Sequence, residues 1–178
     1  MRSVVTIRTA RPADAPELVR LRRLMFGAMH GRDEPGPWER DAEEMIRRRL
    51  ADEARAGELW FGAFVVDGDD GHLAACAVGT VEERLPAPQH PAGRFGFIFN
   101  VCTDARYRGR GYARATTEAL LEWFAARGVT RVDLHATAEA ERLYRALGFT
   151  EHSTALSLGL PLPAASPEGG GPGRYGPG

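Results

Sequence analysis

The stretch Phe97-Ile-Phe-Asn-Val-Cys-Thr-Asp-Ala-Arg-Tyr-Arg-Gly-Arg-Gly-Tyr-Ala-Arg114 joins three kinds of segment. It opens inside the most apolar run of the chain, Phe95 to Thr103, which reads as a buried strand. Gly109 and Gly111 mark a tight turn. Beyond it, Ala113, Thr117, Leu120, Leu121 and Phe124 share one face of a helix that Gly128 closes. A strand–turn–helix junction aims unpaired backbone N–H groups and the positive end of a helix dipole at one point. Such a point suits a phosphate or pyrophosphate, with the two glycines admitting close approach and Arg106, Arg108, Arg110 and Arg114 charging the rim. The bland alternative is a tight turn with solvated arginines. No Gly-Lys-Ser/Thr ends the turn, so a Walker loop is excluded, and Gly109-x-Gly111 is only a fragment of a dinucleotide fingerprint.

Upstream, the β-branched residues 3–8 predict a first strand. Asp14 and Glu17 form a capping-box pattern ahead of a helix with Leu18, Leu21, Met25 and Ala28 on one face. Arg20, Arg22 and Arg23 fall mostly off that face and read as a solvated surface. A second helix follows the breakers at 31–37, with Trp38, Ala42, Met45, Ile46 and Leu50 facing inward. Strands are expected at 58–66 and 72–84, joined by the loop Asp67-Gly-Asp-Asp-Gly71. Downstream come a strand at 130–135, a short helix at 139–147 and terminal strand material at 149–158. The order β-α-α-β-β-β-α-β-α-β makes an α/β mixture around one central sheet.

The chain has 178 residues and a formal charge of −1, which fits one soluble domain and no nucleic-acid or membrane partner. The Arg-Gly run also lies between a buried strand and an amphipathic helix rather than in a disordered tract. Residues 1–158 are expected to form the domain. Residues 159–178, with seven Gly and five Pro, read as a mobile tail. Cys76 and Cys102 make no disulfide framework and read as buried reduced thiols. The cytoplasm is the expected compartment. The five histidines lack metal-ligand spacing, so no metal is expected.

Arg106-x-x-Gly109-x-Gly111, after an apolar strand and before a helix, resembles the acyl-CoA signature of the GCN5-related N-acetyltransferases, the GNAT superfamily. Leu143-Tyr144-x-x-Leu147-Gly148-Phe149 is similar to that family's second signature. The resemblance covers about residues 4–158 and implies a central mixed, mostly antiparallel and splayed sheet flanked by helices. It implies that the main chain of Val101 and Thr103 binds pantetheine much as an added strand would. The amides from Arg108 through Gly109, Arg110, Gly111 and Tyr112 to Ala113 would hold the pyrophosphate. Many relatives carry an asparagine where this chain has Thr137, whose hydroxyl still offers a hydrogen bond to the cosubstrate.

The resemblance makes Tyr144 the general acid beside the thioester sulfur; periodicity by itself makes it a core residue. An attacking amine must lose a proton. Glu82 or Glu83 is the candidate base, and Asp104 and His135 are further choices; the carboxylates also read as surface charges and His135 as a buried imidazole. The expected activity is acetyl transfer from acetyl-CoA to a small-molecule or peptide amine, by a monomer or homodimer. A non-catalytic acyl-CoA-binding module of the same fold is the alternative, and it would need neither Tyr144 nor a base.

Overall fold

A computed structural model of the chain describes residues 5–56 and 60–161. Its elements run β1 (Ile7–Thr9), α1 (Ala15–His30), α2 (Trp38–Ala56), β2 (Phe61–Asp67), β3 (Leu73–Glu83), β4 (Arg94–Thr103), α3 (Tyr112–Ala125), β5 (Arg131–Leu134) and α4 (Ala138–Ala146). Single 3-10 turns stand at Pro12–Asp14 and Ala105–Tyr107. The strands form one open sheet in chain order, antiparallel from β1 to β4 and parallel between β4 and β5. A parallel pair needs a crossover, and α3 supplies it.

Strand alternation divides the apolar residues between two faces. Val65, Cys76 and Val78 meet Leu18, Leu21, Ile46 and Leu50 of α1 and α2 on one face. Ala77, Val81 and Ile98 meet Leu120 and Phe124 of α3 on the other. The result is an α/β mixture around one central sheet, as expected, with helices on both faces. The α3 layer sits directly on main chain. A Cβ at Gly79 would lie 2.7 Å from the Phe97 carbonyl oxygen and 2.9 Å from Phe124 Cζ.

Two irregularities in β4 shape everything downstream. On the β3 side, Val78 pairs with Asn100 but Gly79 pairs with Ile98, so Phe99 is an extra residue in a bulge. On the β5 side, pairing covers only Phe95 to Ile98. From Phe99 to Thr103, β4 keeps β3 on one edge and has no strand on the other among the described residues.

Several local expectations change. The strand expected over 149–158 does not form: beyond Phe149 the described chain joins no ladder, and Leu156, Leu158 and Leu160 are 91%, 83% and 81% exposed. Their alternation offers an apolar face, but among the described residues no strand or helix covers it to offset the ordering cost. Met45 is exposed, because the inward stripe of α2 runs through Ile46 and Leu50. The capping box is not made, since Asp14 turns back to Arg8 and the Arg11 amide while Glu17 accepts from the Leu73 amide. Residues 3, 4, 58 and 59 of the expected strands, and the expected tail from 162 onward, lie outside the described residues.

Gly79→Ala should therefore cost about 1–3 kcal/mol, the usual range for overpacking against a site that cannot yield. Urea denaturation at constant m-value reads that loss directly, and an unchanged midpoint would contradict the close seating of α3.

Candidate functional site

A cavity of about 1360 Å³ opens where β4 loses its second neighbour. It runs from Met25, Phe26 and Met29 of α1, across Phe97 to Thr103, to the glycine turn and α4. Small-molecule pockets usually span about 300–1,000 Å³, so this one has room for two reactants.

The open edge can be read from one hydrogen bond. The Asp104 amide donates to the Ala74 carbonyl at 2.9 Å, toward β3. Backbone groups alternate along a strand, so Cys102 also faces β3, while Val101 and Thr103 turn their N–H and C=O groups to the unpaired edge. Both residues line the cavity. The Thr103 Oγ1 is buried there with no hydrogen-bond partner among the described residues.

At the end of this edge Asp104 organises the turn. Its buried carboxylate accepts from the Arg106 amide (3.0 Å), from Arg106 Nε and Nη2 (3.1 and 3.0 Å) and from Arg20 Nη1 (2.8 Å). Hydrogen bonds from the Arg106 side chain, then its amide and Arg20, hold the Asp104 carboxyl far below the usual carboxylate range despite burial. Arg20 also bonds Glu17 and the Leu73 carbonyl, tying α1 to β3 and to the turn. The Tyr107 hydroxyl accepts from the Asp69 amide at 2.7 Å and donates to the Asp69 carboxylate at 3.0 Å, clipping the turn to the β2–β3 loop.

Gly109 and Gly111 have φ of +75° and +79°, the left-handed region that other residues enter only with strain. Gly111 is the N-cap of α3 and brings no side chain to it. The first closed bond runs from the Ala115 amide to the Gly111 carbonyl, leaving the Tyr112, Ala113 and Arg114 amides without intrahelical acceptors. The rim charge is smaller than four arginines suggest. Arg106 is matched by Asp104 and Arg114 by Glu118, and Arg110 lies over the Tyr107 ring. Arg108 forms no ion pair among the described residues.

Across the cavity, α4 begins at Thr137, whose Oγ1 accepts from the Ala140 amide at 3.3 Å. Its hydroxyl is thus occupied as a helix cap but keeps a proton to donate. Tyr144 is 8% exposed, lines the cavity, and meets Phe149 edge-on at 5.8 Å. The Phe149 amide returns to the Tyr144 carbonyl at 3.0 Å, so the Leu-Gly-Phe end of the helix clamps the tyrosine. Its hydroxyl has no partner in the protein among the described residues, and burial raises the phenol above its ordinary value near 10.

The candidate bases fare differently. Glu82 is held by Arg84 at 2.7 Å, and neither Glu82 nor Glu83 lines the cavity, because both sit at the opposite end of β3 beside Arg94 and Phe95. Asp104 lines it but is committed to two guanidinium groups. His135 is exposed rather than buried, because β5 ends at Leu134; it lines the cavity and meets Phe97 edge-on at 5.6 Å. Burial pushes the Cys102 thiol up to about 11, so it stays protonated at neutral pH.

Sequence reasoning missed three residues. Arg20 and Arg22 are not solvated helix surface: Arg20 reaches Asp104, and Arg22 bonds Asn100 Oδ1 at 3.2 Å from within the cavity wall. Asn100 in turn donates to Cys76 Sγ at 3.4 Å. The Glu17–Arg20 spacing hinted at one ion pair. Contacts 84 and 78 residues away in sequence leave no local signal.

The family model for the Acetyltransferase (GNAT) family matches residues 23–149. Glucosamine 6-phosphate N-acetyltransferase 1 of Oryza sativa subsp. japonica is 30% identical over 116 residues, covering 65% of this chain and 68% of that protein. Mycothiol acetyltransferase of Beutenbergia cavernae is 34% identical over 114 residues, which is 60% of this chain but 35% of that protein, so the chain spans about a third of that relative. A predicted acetyltransferase of Clostridium acetobutylicum, crystallised with acetyl-CoA, superposes with a TM-score of 0.74 at 20% identity over 88% of this chain and 96% of that one. A GCN5-related N-acetyltransferase of Ralstonia eutropha gives 0.69 at 25% identity over 88% of this chain and 99% of that one.

Asp104→Asn tests the anchor of the turn. Removing one member of a buried ion cluster strands the others, and with Arg106 half exposed the loss should be about 2 kcal/mol at neutral pH. Because the folded carboxyl titrates below its unfolded value of about 3.9, its contribution is fully present above that pH and is lost as pH falls through the folded pKa. The stability gap between the wild type and the variant should therefore narrow below about pH 4. Denaturation midpoints from pH 7 down to 3 check this, and a gap independent of pH would refute it.

Proposed function

The chain belongs to the GNAT acetyltransferase family, and from that premise we propose that it moves an acetyl group from acetyl-CoA to a primary amine by direct attack on the thioester. The observation that carries this reading is the continuity of the open β4 edge with the glycine turn, facing Tyr144 across one cavity. An extended pantetheine arm fits an unpaired strand edge, and a pyrophosphate fits the uncapped amides of Tyr112 to Arg114. Arg108, Gly109, Arg110 and Ala113 complete that end, while Arg106 serves it by holding Asp104. Thr103 Oγ1 and the Thr137 hydroxyl are the side-chain polar groups available along the way.

Bound acetyl-CoA supplies an activated acyl thioester. The chain's own part is binding and proton management. Val101 and Thr103 orient the arm by main-chain bonds, and Tyr144 keeps its proton at neutral pH, ready for the departing sulfur. Glu82 and Glu83 do not reach the cavity, so the amine sheds its proton to His135, which lines it, or to solvent at the mouth. With Cys102 protonated, no cysteinyl acyl-enzyme is needed.

A relative named for glucosamine 6-phosphate supports a small-molecule amine over a peptide as acceptor. We propose further that residues 1–158 are the catalytic domain and 159–178 a dispensable tail, in a cytoplasmic monomer or homodimer. No helix among the described residues is long and apolar enough to cross a membrane.

Free-thiol release from acetyl-CoA across a panel of amines tests the reaction. Tyr144→Phe should lower single-turnover rates by roughly 10²–10⁴ with acetyl-CoA binding retained. Near-normal rates would return Tyr144 to the core, and absence of thiol release from the wild type with every amine tried would favour the non-catalytic reading. Separately, acetyl-CoA at ~100 times its Kd should stabilise the wild type by roughly 2.7 kcal/mol. Gly109→Asp, which adds a carboxylate against the anion site and strains a left-handed φ, should lose most of that gain; a folded variant that keeps it would move the pyrophosphate elsewhere.

A further inference from the structure

Arg22 stands apart from its neighbours on α1. Arg20 is matched by Glu17 and Asp104, and Arg23 by Asp33 and Glu39. Arg22 forms no ion pair among the described residues, although it is partly buried in the cavity wall. Its guanidinium lies 4.6 Å from the centre of the Phe26 ring and 5.9 Å from that of Phe99. One of its N–H groups donates to Asn100 Oδ1 at 3.2 Å. A guanidinium carries five donors, so the rest of the fork is unfilled. Burial pulls the Arg22 pKa down with no carboxylate opposing it, the mark of a cation lacking its counter-charge. The β4 bulge creates the setting, turning Phe99 outward over Arg22 and Asn100 inward beneath it.

We propose that Arg22, held between Phe26 and Phe99 and positioned by Asn100, reads an anionic group, carboxylate or phosphate, on the acceptor amine. A planar fork with an aromatic backing suits such a group and excludes a second ammonium. Asn100 adjoins Val101 on the open edge, about 3.3 Å of strand away, so amine and anion are joined by a short spacer. The inference rests on the acetyl-transfer reading for the identity of the site's second reactant.

The test pairs amines that differ in the anion: phosphoethanolamine against ethanolamine, and β-alanine against β-alaninamide. Calorimetric titration of the full chain in the presence of CoA reads binding, and thiol release reads turnover. In the wild type at least one anionic member should bind about ten- to a hundredfold more tightly than its neutral partner, the range of a charge-assisted hydrogen bond. The phosphate and carboxylate pairs identify which anion is preferred. In Arg22→Met, or Arg22→Gln should the first variant misfold, the ratio should fall to near one while acetyl-CoA still raises the melting temperature. A ratio near one in the wild type, or one that survives the substitution, overturns the proposal. So does loss of acetyl-CoA stabilisation in a folded variant, which would assign Arg22 to the cosubstrate instead. Anion-selective binding without thiol release from any amine would sink acetyl transfer and leave anion recognition standing.

Discussion

Strand β4 has two neighbours as far as Ile98 and one beyond it, and the site follows from that asymmetry. A strand edge left unpaired inside a protein must bond something, because buried N–H and C=O groups without partners are costly. The sheet leaves that obligation at Val101 and Thr103, on the wall of the cavity. The same point carries the Phe99 bulge, so the change of partner and the change of register coincide. One bend in one strand thereby frees a main-chain edge, exposes an aromatic ring and turns Asn100 toward Arg22.

Asp104 keeps that bend attached to the turn that follows. A buried carboxylate is unfavourable alone, and here it is matched by two guanidinium groups and an amide. The arrangement takes Arg106 out of the pool of free cations near the glycine turn. What remains for an anion is chiefly main chain: uncapped amides and a helix dipole, whose directions are set by the backbone and lose no side-chain entropy on binding. Arg20 carries the same cluster back to α1, so the helix that bears Arg22 is referenced to the turn through a single carboxylate.

The chemistry proposed for the site is correspondingly spare. Tyr144 is clamped by Phe149 and the end of its own helix, and burial favours its neutral form. The stripe of apolar residues that would make it an ordinary core tyrosine is the device that holds it still. The Cys102 thiol in the same wall is kept protonated by burial.

Local sequence determined a great deal of this protein. The apolar run at 95–103, the Arg-x-x-Gly-x-Gly turn and the Leu-Tyr-x-x-Leu-Gly-Phe helix each carry their conformation in adjacent residues, through hydrophobic period, glycine φ and helix termination. They specify an α/β mixture around one sheet and the glycine turn that joins β4 to α3. The acidic and basic residues were another matter. Glu82 and Glu83 looked suited to the acceptor side yet fold to the far end of β3, while Arg20 and Arg22 looked solvated yet turn inward. The expected last strand lacked a partner for its alternating leucines. Periodicity records which side of an element is apolar, but an ion pair or a ladder depends on where a distant segment lies. Asp104 is 84 residues from Arg20, and Asn100 is 78 from Arg22. Only the packing of α1 against β4 brings those charges and amides within reach of one another.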